Sequence, residues 1–200
     1  MRKYLISFSI LLNISLLSVI FQFRDKIQAQ FFPAEEVNIL LIGDSLLAQE
    51  NWNILLGRND VKNEAFGGAI TQQILWNIER GQLKSKPKLV ILNGGINDLL
   101  SGVPVQRVFE NYEKIIETLE AQNIKIIPCC VVNIEDNEDI NSEVEALNIL
   151  LKDYFIQQEI NFIDLNLLLK NNHIFYQADG IHLNKNAYQI WAKELIGILK

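Results

Sequence analysis

Apolar residues recur along the chain in two ways, as short unbroken runs and as stripes at helical spacing. Val37–Ile42 is almost continuously apolar, which is typical of a strand buried on both faces of a sheet. Runs of this kind predict five strands: Val37–Ile42, Asp60–Ala65, Lys88–Asn93, Ile124–Val132 and Asn161–Leu165.

Between the strands, apolar residues return every three or four positions, which predicts helices. The predicted helices are Leu46–Leu56, Thr71–Gln82, Val105–Gln122, Ser142–Gln158 and, after the N-cap residue Asn184, Lys185–Leu199. Alternation of strand and helix favours parallel strands joined by right-handed crossovers. The pattern therefore predicts an α/β protein, a three-layer helix–sheet–helix sandwich, with functional residues at the carboxyl ends of the strands.

The N-terminal segment has a different character from the rest of the chain. Tyr4–Phe23 contains no charged residue and would span about 30 Å as a helix, the thickness of the apolar core of a bilayer. We expect residues 1–30 to be a membrane anchor, or a signal peptide cleaved after Ala29, with a short juxtamembrane segment. A buried N-terminal helix fits less well, because the segment has no polar face. Residues 31–200 are then expected to form one domain outside the cytoplasm, either attached by a single span or secreted.

Composition and charge exclude some classes of function. Apolar residues make up 49% of the chain and charged residues 21%, which predicts a folded core rather than disorder. The formal net charge is −6, and residues 31–200 alone carry 14 bases and 23 acids. An acidic surface repels phosphate backbones, so nucleic acid is not an expected partner. The acidic run from Glu135 to Glu145 suits a solvated loop and helix start better than a calcium site.

Four short polar motifs lie at predicted strand ends or just before the last helix. They are Gly43-Asp44-Ser45-Leu46, Asn63-Glu64-Ala65-Phe66-Gly67-Gly68, Gly94-Gly95-Ile96-Asn97-Asp98 and Asp179-Gly180-Ile181-His182. Taken singly, each motif has an ordinary structural explanation as a helix cap or a strand-to-helix turn.

Taken together, the motifs contain the groups that nucleophilic catalysis needs. Ser45 would project from the end of the first strand, and a serine hydroxyl needs an adjacent base to become a good nucleophile. Asp179 stands three residues before His182, so its carboxylate can bond Nδ1 and leave Nε2 as that base. A backbone N–H at Gly68 and the side-chain amide of Asn97 are suitable donors to a developing oxyanion.

The ordered set Gly-Asp-Ser-Leu, Gly, Gly-x-Asn-Asp and Asp-x-x-His resembles the SGNH (GDSL-type) hydrolase family. The resemblance covers roughly Val37 to the C-terminus. It implies a flavodoxin-like sandwich with a five-stranded parallel sheet in the order 2-1-3-4-5. It also implies a serine ester hydrolase that needs no metal and no cofactor. Ala65 departs from the family pattern, because relatives often have glycine there.

The resemblance also implies a role for each site residue. Ser45 matches the nucleophile, and Asp179 and His182 match the rest of the catalytic triad. The oxyanion hole would be formed by the backbone N–H of Ser45, Gly68 and Asn97.

The expected reaction is removal of an acyl group, such as acetyl, from an alcohol or sugar. The substrate would be a small-molecule, glycan or lipid ester. Two alternatives remain open: an envelope O-acyltransferase that uses the same triad, and a non-catalytic envelope binding module. A flavodoxin-type nucleotide binder is disfavoured, because the chain lacks a glycine-rich phosphate fingerprint.

Overall fold

The computed structural model describes Asn13 and residues 37–169 and 172–199. The chain divides into Met1–Glu36 and Val37–Lys200. The expected apolar helix over residues 4–23 lies outside the described residues, except for Asn13, which is helical. Within the described part of the chain, no helix combines the length and the apolar character that crossing a membrane requires.

Val37–Lys200 contains a parallel sheet of four strands among its described residues. The strands are β1 (Ile39–Gly43), β2 (Val61–Asn63), β3 (Leu89–Asn93) and β4 (Lys125–Pro128), and they pair in the order β2-β1-β3-β4. In the sheet, β1 pairs with β2 on one side and with β3 on the other, so that Gly43 at its end lies opposite Asn93. The α/β class and the parallel sheet expected from the sequence are therefore confirmed.

Helices connect the strands. The α-helices are α1 (Ser45–Ala48), α2 (Trp52–Leu56), α3 (Thr71–Glu79), α4 (Ile96–Leu100), α5 (Val105–Glu120), α6 (Glu138–Gln157), α7 (Leu165–Leu169) and α8 (Lys185–Ile198). Two 3₁₀ turns cover Gln82–Ser85 and His173–Phe175.

The core forms two apolar clusters, one on each face of the sheet. Leu40 and Ile42 of β1 pack in the cluster that contains residues of α3, α4, α5 and α6. Ile39 and Leu41 point to the opposite face and pack in the cluster that contains residues of α1, α2, α7 and α8. Because neighbouring strand residues face opposite sides, the unbroken apolar run of β1 supplies both clusters.

The expected fifth strand is wrong as an element of the described structure. Residues 161–165 contribute only one parallel bridge, between Ile163 and Cys129. The N–H groups of Cys129 and Cys130 still donate to the backbone, but from Val131 onward side chains take over. Asn148 bonds both the N–H and the C=O of Val131, at 2.9 and 2.8 Å. The Asn148 amide thus takes the place of a neighbouring strand at Val131. The predicted strand Ile124–Val132 also ends early, at Pro128.

The predicted helix Leu46–Leu56 is two short helices. The helix breaks because Asn51 accepts a hydrogen bond from the N–H of Ile54 and thereby starts α2 as an N-cap. The other predicted helices are present, with ends that differ by up to four residues.

Cys129 and Cys130 are free and buried, and burial raises the pKa of the Cys130 thiol to about 12.

Gly43 is required by the close approach of β1 and β3. A Cβ at this position would lie 2.0 Å from the carbonyl oxygen of Asn93. We predict that Gly43→Ala lowers the free energy of unfolding by about 3 kcal/mol, because the strands must separate to admit the methyl group. Urea unfolding followed by circular dichroism measures this change.

Gly197→Ala is the matched control. Gly197 lies in α8 with no atom within 4 Å of the added Cβ, so alanine should stabilise the helix by about 0.5–1 kcal/mol. Equal effects of the two substitutions would contradict the close approach of the strands.

Candidate active site

Asp44 places Ser45 at the end of β1. Its Oδ1 accepts a hydrogen bond of 2.9 Å from the N–H of Leu46, which makes Asp44 the N-cap of α1. Ser45 is therefore the first residue of a four-residue helix, and its hydroxyl stands at the carboxyl edge of the sheet. The Asp44 side chain is completely buried.

The other end of α1 is held by side chains from three neighbouring segments. Tyr188 Oη of α8 donates to the carbonyl oxygen of Leu46 at 2.7 Å. Trp52 Nε1 and Asn63 Nδ2 each donate to the carbonyl oxygen of Leu47 at 2.8 Å. A helix of this length has no internal partner for its last carbonyl groups, so these donors fix its position.

The structure brings Ser45, His182 and Asp179 into contact. His182 Nε2 lies 3.0 Å from Ser45 Oγ, and His182 Nδ1 lies 2.7 Å from Asp179 Oδ2. An ionised carboxylate only accepts hydrogen bonds, so the proton belongs on Nδ1. Nε2 is then free to accept the hydroxyl proton of Ser45.

Asp179 is held in its charged form by hydrogen bonds rather than by burial. Besides the imidazole, its Oδ1 accepts from the backbone N–H groups of Ile181 and His182, at 3.0 and 2.9 Å. The hydrogen bond from the His182 side chain, followed by those two backbone bonds, lowers the pKa of Asp179 far below its usual value. The carboxylate is thus ionised at every physiological pH.

The loop that carries Asp179 and His182 is tied to its surroundings on two sides. Gln177 Nε2 donates to the carbonyl oxygen of Leu183 at 2.7 Å and to Gln49 Oε1, at the end of α1, at 3.1 Å. On the other side, the N–H of Glu135 donates to the carbonyl oxygen of Gly180 at 2.8 Å. These bonds fix the imidazole relative to the helix that begins with Ser45.

Gly68 and Asn97 lie on two loops that are joined by a hydrogen bond. The loop after β2 runs beside the end of β1, where the N–H of Phe66 donates to the carbonyl oxygen of Gly43 at 3.1 Å. Gly68, two residues later, has φ +75°, which favours glycine. Asn97 Nδ2 then donates to the carbonyl oxygen of Ala69 at 3.0 Å, so one amide N–H holds this loop and the second remains available.

Asp98 holds the same loop through hydrogen bonds to Thr71, where α3 begins. Both of its carboxylate oxygens accept from the N–H of Thr71, and Oδ1 also accepts from the Thr71 hydroxyl at 2.6 Å. Asn111 of α5 donates to the same hydroxyl at 2.9 Å. Burial raises the pKa of Asp98, and the bonds from Thr71 oppose that effect.

The five site residues expected from the sequence all lie at this edge of the sheet. Ser45 begins α1, Gly68 and Asn97 lie on the two joined loops, and Asp179 and His182 lie on the loop before α8. Three residues that position them, Asn63, Gln177 and Tyr188, were not expected. Asn63 belongs to the second motif, but nothing in the sequence links Gln177 or Tyr188 to α1. Within residues 37–169 and 172–199, no three His, Cys, Asp or Glu side chains are arranged to hold a metal ion.

A parallel α/β sheet with a hydrogen-bonded serine, histidine and aspartate at its carboxyl edge is typical of hydrolytic enzymes of the α/β class. Residues 41–190 match the model of the GDSL-like Lipase/Acylhydrolase family. The chain belongs to this family.

Solved structures with the same fold include two bacterial members of the family. A GDSL-like lipase from Bacteroides thetaiotaomicron has a TM-score of 0.73 at 19% identity, over 90% of this chain and 97% of that one. A lipase/acylhydrolase from Enterococcus faecalis has a TM-score of 0.71 at 20% identity, over 82% of this chain and 95% of that one.

The curated relatives are longer proteins. An N-acylneuraminate cytidylyltransferase of Streptococcus agalactiae serotype III is 25% identical over 171 residues, which are 80% of this chain and 40% of the relative. The chain thus spans well under half the length of the curated relatives that it matches.

Removing the Asp98 carboxylate should loosen the loops that carry Gly68 and Asn97. We predict that Asp98→Ala lowers the free energy of unfolding by about 2 kcal/mol, because it leaves the buried N–H and hydroxyl of Thr71 without an acceptor. Asp98→Asn keeps one acceptor oxygen and should lose clearly less. Thermal and urea unfolding measure both variants, and an equal loss in the two would contradict this role.

Proposed function

We propose that the chain is a serine ester hydrolase that removes a short acyl group, such as acetyl, from an alcohol or a sugar. The observation that carries the proposal is the unbroken series of contacts from Asp179 through His182 to the hydroxyl of Ser45. Family membership supports ester hydrolysis in general. The residue roles and the class of substrate are our inference.

The proposed first step forms an acyl-enzyme. Ser45 Oγ attacks the carbonyl carbon of the ester, and its proton passes to His182 Nε2. His182 then gives that proton to the oxygen of the leaving alcohol as the carbon–oxygen bond breaks. Asp179 stays ionised throughout and stabilises the imidazolium.

The second step returns the enzyme to its starting state. Water attacks the acyl carbon, its proton passes to His182 Nε2, and the Ser45 oxygen leaves and takes that proton back. The products are a carboxylic acid and a regenerated serine hydroxyl. An O-acyltransferase would differ only here, because a glycan hydroxyl would replace water.

Three donors would stabilise the oxyanion of both tetrahedral intermediates: the N–H groups of Ser45 and Gly68 and the second amide N–H of Asn97. Neither backbone N–H donates a hydrogen bond within the described residues. The bond from Asn97 to Ala69 brings the Asn97 amide beside the Gly68 loop, which supports their joint use.

An open site supports a small acyl group on an accessible ester. The side chains of Asp179 and His182 are 46% and 26% exposed. Phe66, in the loop after β2, and Ile174, in the 3₁₀ turn His173–Phe175, also present apolar surface to solvent. The curated relatives are named for the sugar N-acylneuraminate. We take this as support for a sugar as the alcohol part of the ester, since the N-acyl group in that name is itself an amide.

We further propose that the enzyme works outside the cytoplasm. The support is in the sequence alone: the uncharged segment Tyr4–Phe23 after Arg2-Lys3 would anchor the chain in a membrane or direct its export. The substrate would then be an ester exposed at or beyond the cell envelope.

Ser45→Ala tests the proposed nucleophile. We expect kcat on p-nitrophenyl acetate to fall by about 10⁴-fold or more, because alanine cannot form the acyl-enzyme. Covalent labelling by an organophosphate should also disappear. Ser142→Ala, on the exposed side of α6, is the matched control and should keep full activity and labelling of the 200-residue chain.

The same assay with p-nitrophenyl esters of rising chain length tests the proposed acyl group, and activity should be highest with acetate. Two outcomes would overturn the proposal: equal turnover of the esters by the original protein and by Ser45→Ala, or no turnover by either protein. Transfer of the acyl group to an added glycan, faster than hydrolysis, would identify the transferase instead.

Asn97→Ala tests the proposed oxyanion hole. We expect kcat to fall by about 10²–10³-fold with little change in KM, because the lost donor acts on the charge that develops in the transition state. Asn111→Ala disturbs the Thr71 network, which holds the same loop as Asn97 does, but removes no donor from the oxyanion, so its kcat should stay within about tenfold of the original enzyme. A loss in Asn111→Ala as large as in Asn97→Ala would show that the effect is structural.

A further inference from the structure

Asp44 is a buried acid that the proposed mechanism does not use. Its side chain is completely buried beside Ser45. Oδ1 accepts the single hydrogen bond from the N–H of Leu46, whereas Oδ2 is buried with no hydrogen-bond partner among the described residues. A fully ionised carboxylate in such a position would leave half of its charge without a donor, which is costly away from water.

The groups that face Asp44 do not compensate a negative charge. Asp98 of α4 is a second buried acid. The two facing phenol hydroxyls donate their hydrogen bonds elsewhere. Tyr112 of α5 donates to the carbonyl oxygen of Gly94, and Tyr188 of α8 donates to that of Leu46. Among the described residues, His182 is the basic group that acts on Asp44, and its Nδ1 is hydrogen-bonded to Asp179.

A second oxygen without a donor lies at the end of the neighbouring strand. Asn93 is fully buried, its Oδ1 has no partner among the described residues, and its backbone oxygen accepts from the N–H of Asp44 at 3.2 Å. Two buried oxygens without a donor thus belong to residues whose backbones are hydrogen-bonded to each other, and a proton on Asp44 would add a donor there.

We propose that Asp44 is a positioning residue that works in its protonated form: a neutral carboxyl that caps α1 and keeps a second negative charge away from Ser45. The part of the proposal that concerns turnover rests on the proposed function, whereas the protonation itself does not. The balance of forces agrees with it. The pKa of Asp44 is raised to about 7: burial is the largest cause and Asp98 adds to it, whereas the Leu46 N–H and His182 act in the opposite direction.

A neutral Asp44 has a chemical advantage for the proposed reaction. The negative charge of the tetrahedral intermediate would form at the backbone N–H of Ser45, the very next residue. An ionised Asp44 would repel that charge in a region of low dielectric constant, where such repulsion is strong. The proton removes the repulsion while the capping oxygen stays in place.

The first experiment measures protonation without reference to activity. The native pKa of Asp44 lies above the unfolded value of 3.8, so the native state binds the proton more tightly and loses stability as the pH rises from about 4 to about 7. Asp44→Asn cannot ionise. Its unfolding equilibrium constant, relative to that of the original protein, should fall with rising pH by up to about tenfold per pH unit in this range.

Asp60→Asn is the matched control for this measurement. Asp60 is paired with Arg58, whose hydrogen bond lowers the pKa of Asp60 to about 2. Its contribution to stability is thus lost only below the unfolded pKa, and the relative unfolding constant of Asp60→Asn should be flat from pH 5 to pH 8. A flat difference for Asp44→Asn as well, or one of opposite sign, would overturn the proposal.

The second experiment measures turnover of p-nitrophenyl acetate against pH. Asp44→Asn keeps the capping oxygen, so its kcat at pH 7 should stay within about threefold of the original enzyme, and its activity should persist further into the alkaline range. Asp44→Ala loses the cap and should fall at least tenfold in kcat. An asparagine variant as impaired as the alanine variant would show that the charge is needed.

The two experiments separate two kinds of failure. An original enzyme that is inactive on every ester would refute the proposed function, while the unfolding measurements would still decide whether Asp44 is protonated. An active enzyme with a flat unfolding difference would refute the role of Asp44 alone.

Discussion

The parallel pairing of β1 with β3 is the constraint on which the site depends. Because both strands end at the same edge, Asp44-Ser45 after β1 and the motif that carries Asn97 after β3 leave the sheet side by side. The contact is close enough that position 43 admits no side chain. The last helix, α8, packs on the same face of the sheet as α1, and this brings His182 to Ser45 across 137 residues of sequence.

Side-chain amides complete the hydrogen bonding where the regular sheet ends. Asn63 bonds α1, Asn97 bonds the loop after β2, and Asn148 and Asn166 bond the backbone beyond β4. Buried backbone groups need partners, and an amide offers both a donor and an acceptor. The loops at this edge can therefore be irregular and still fixed, which is what a site with atoms 3 Å apart requires.

The sequence predicts the local elements well, since burial of one face leaves a periodic pattern that short windows contain. Three of the four motifs follow directly on a predicted strand, and the fourth stands just before the last predicted helix, so local patterns were enough to relate each motif to an element. Contacts between distant residues leave no pattern of this kind: Gln49 and Gln177, which hold α1 and the His182 loop together, are separated by 128 residues. The prediction of a fifth strand was wrong for a related reason. An apolar run cannot show that the side chains of Asn148 and Asn166 will bond the backbone of Val131, beyond β4, where a longer neighbouring strand was expected.

The three acids of the site show that hydrogen-bond donors and burial act separately on charge. Asp179 is exposed and accepts three hydrogen bonds, and its pKa is lowered. Asp98 is buried and accepts hydrogen bonds from Thr71, and desolvation still outweighs them. Asp44 is buried with a single donor, and its pKa is raised to about 7. The acid that must be a carboxylate for the proposed chemistry is thus the exposed one, and it is kept charged by N–H groups of its own turn. Exposure costs such a residue little, since its partners lie within three positions in sequence and need no core to hold them.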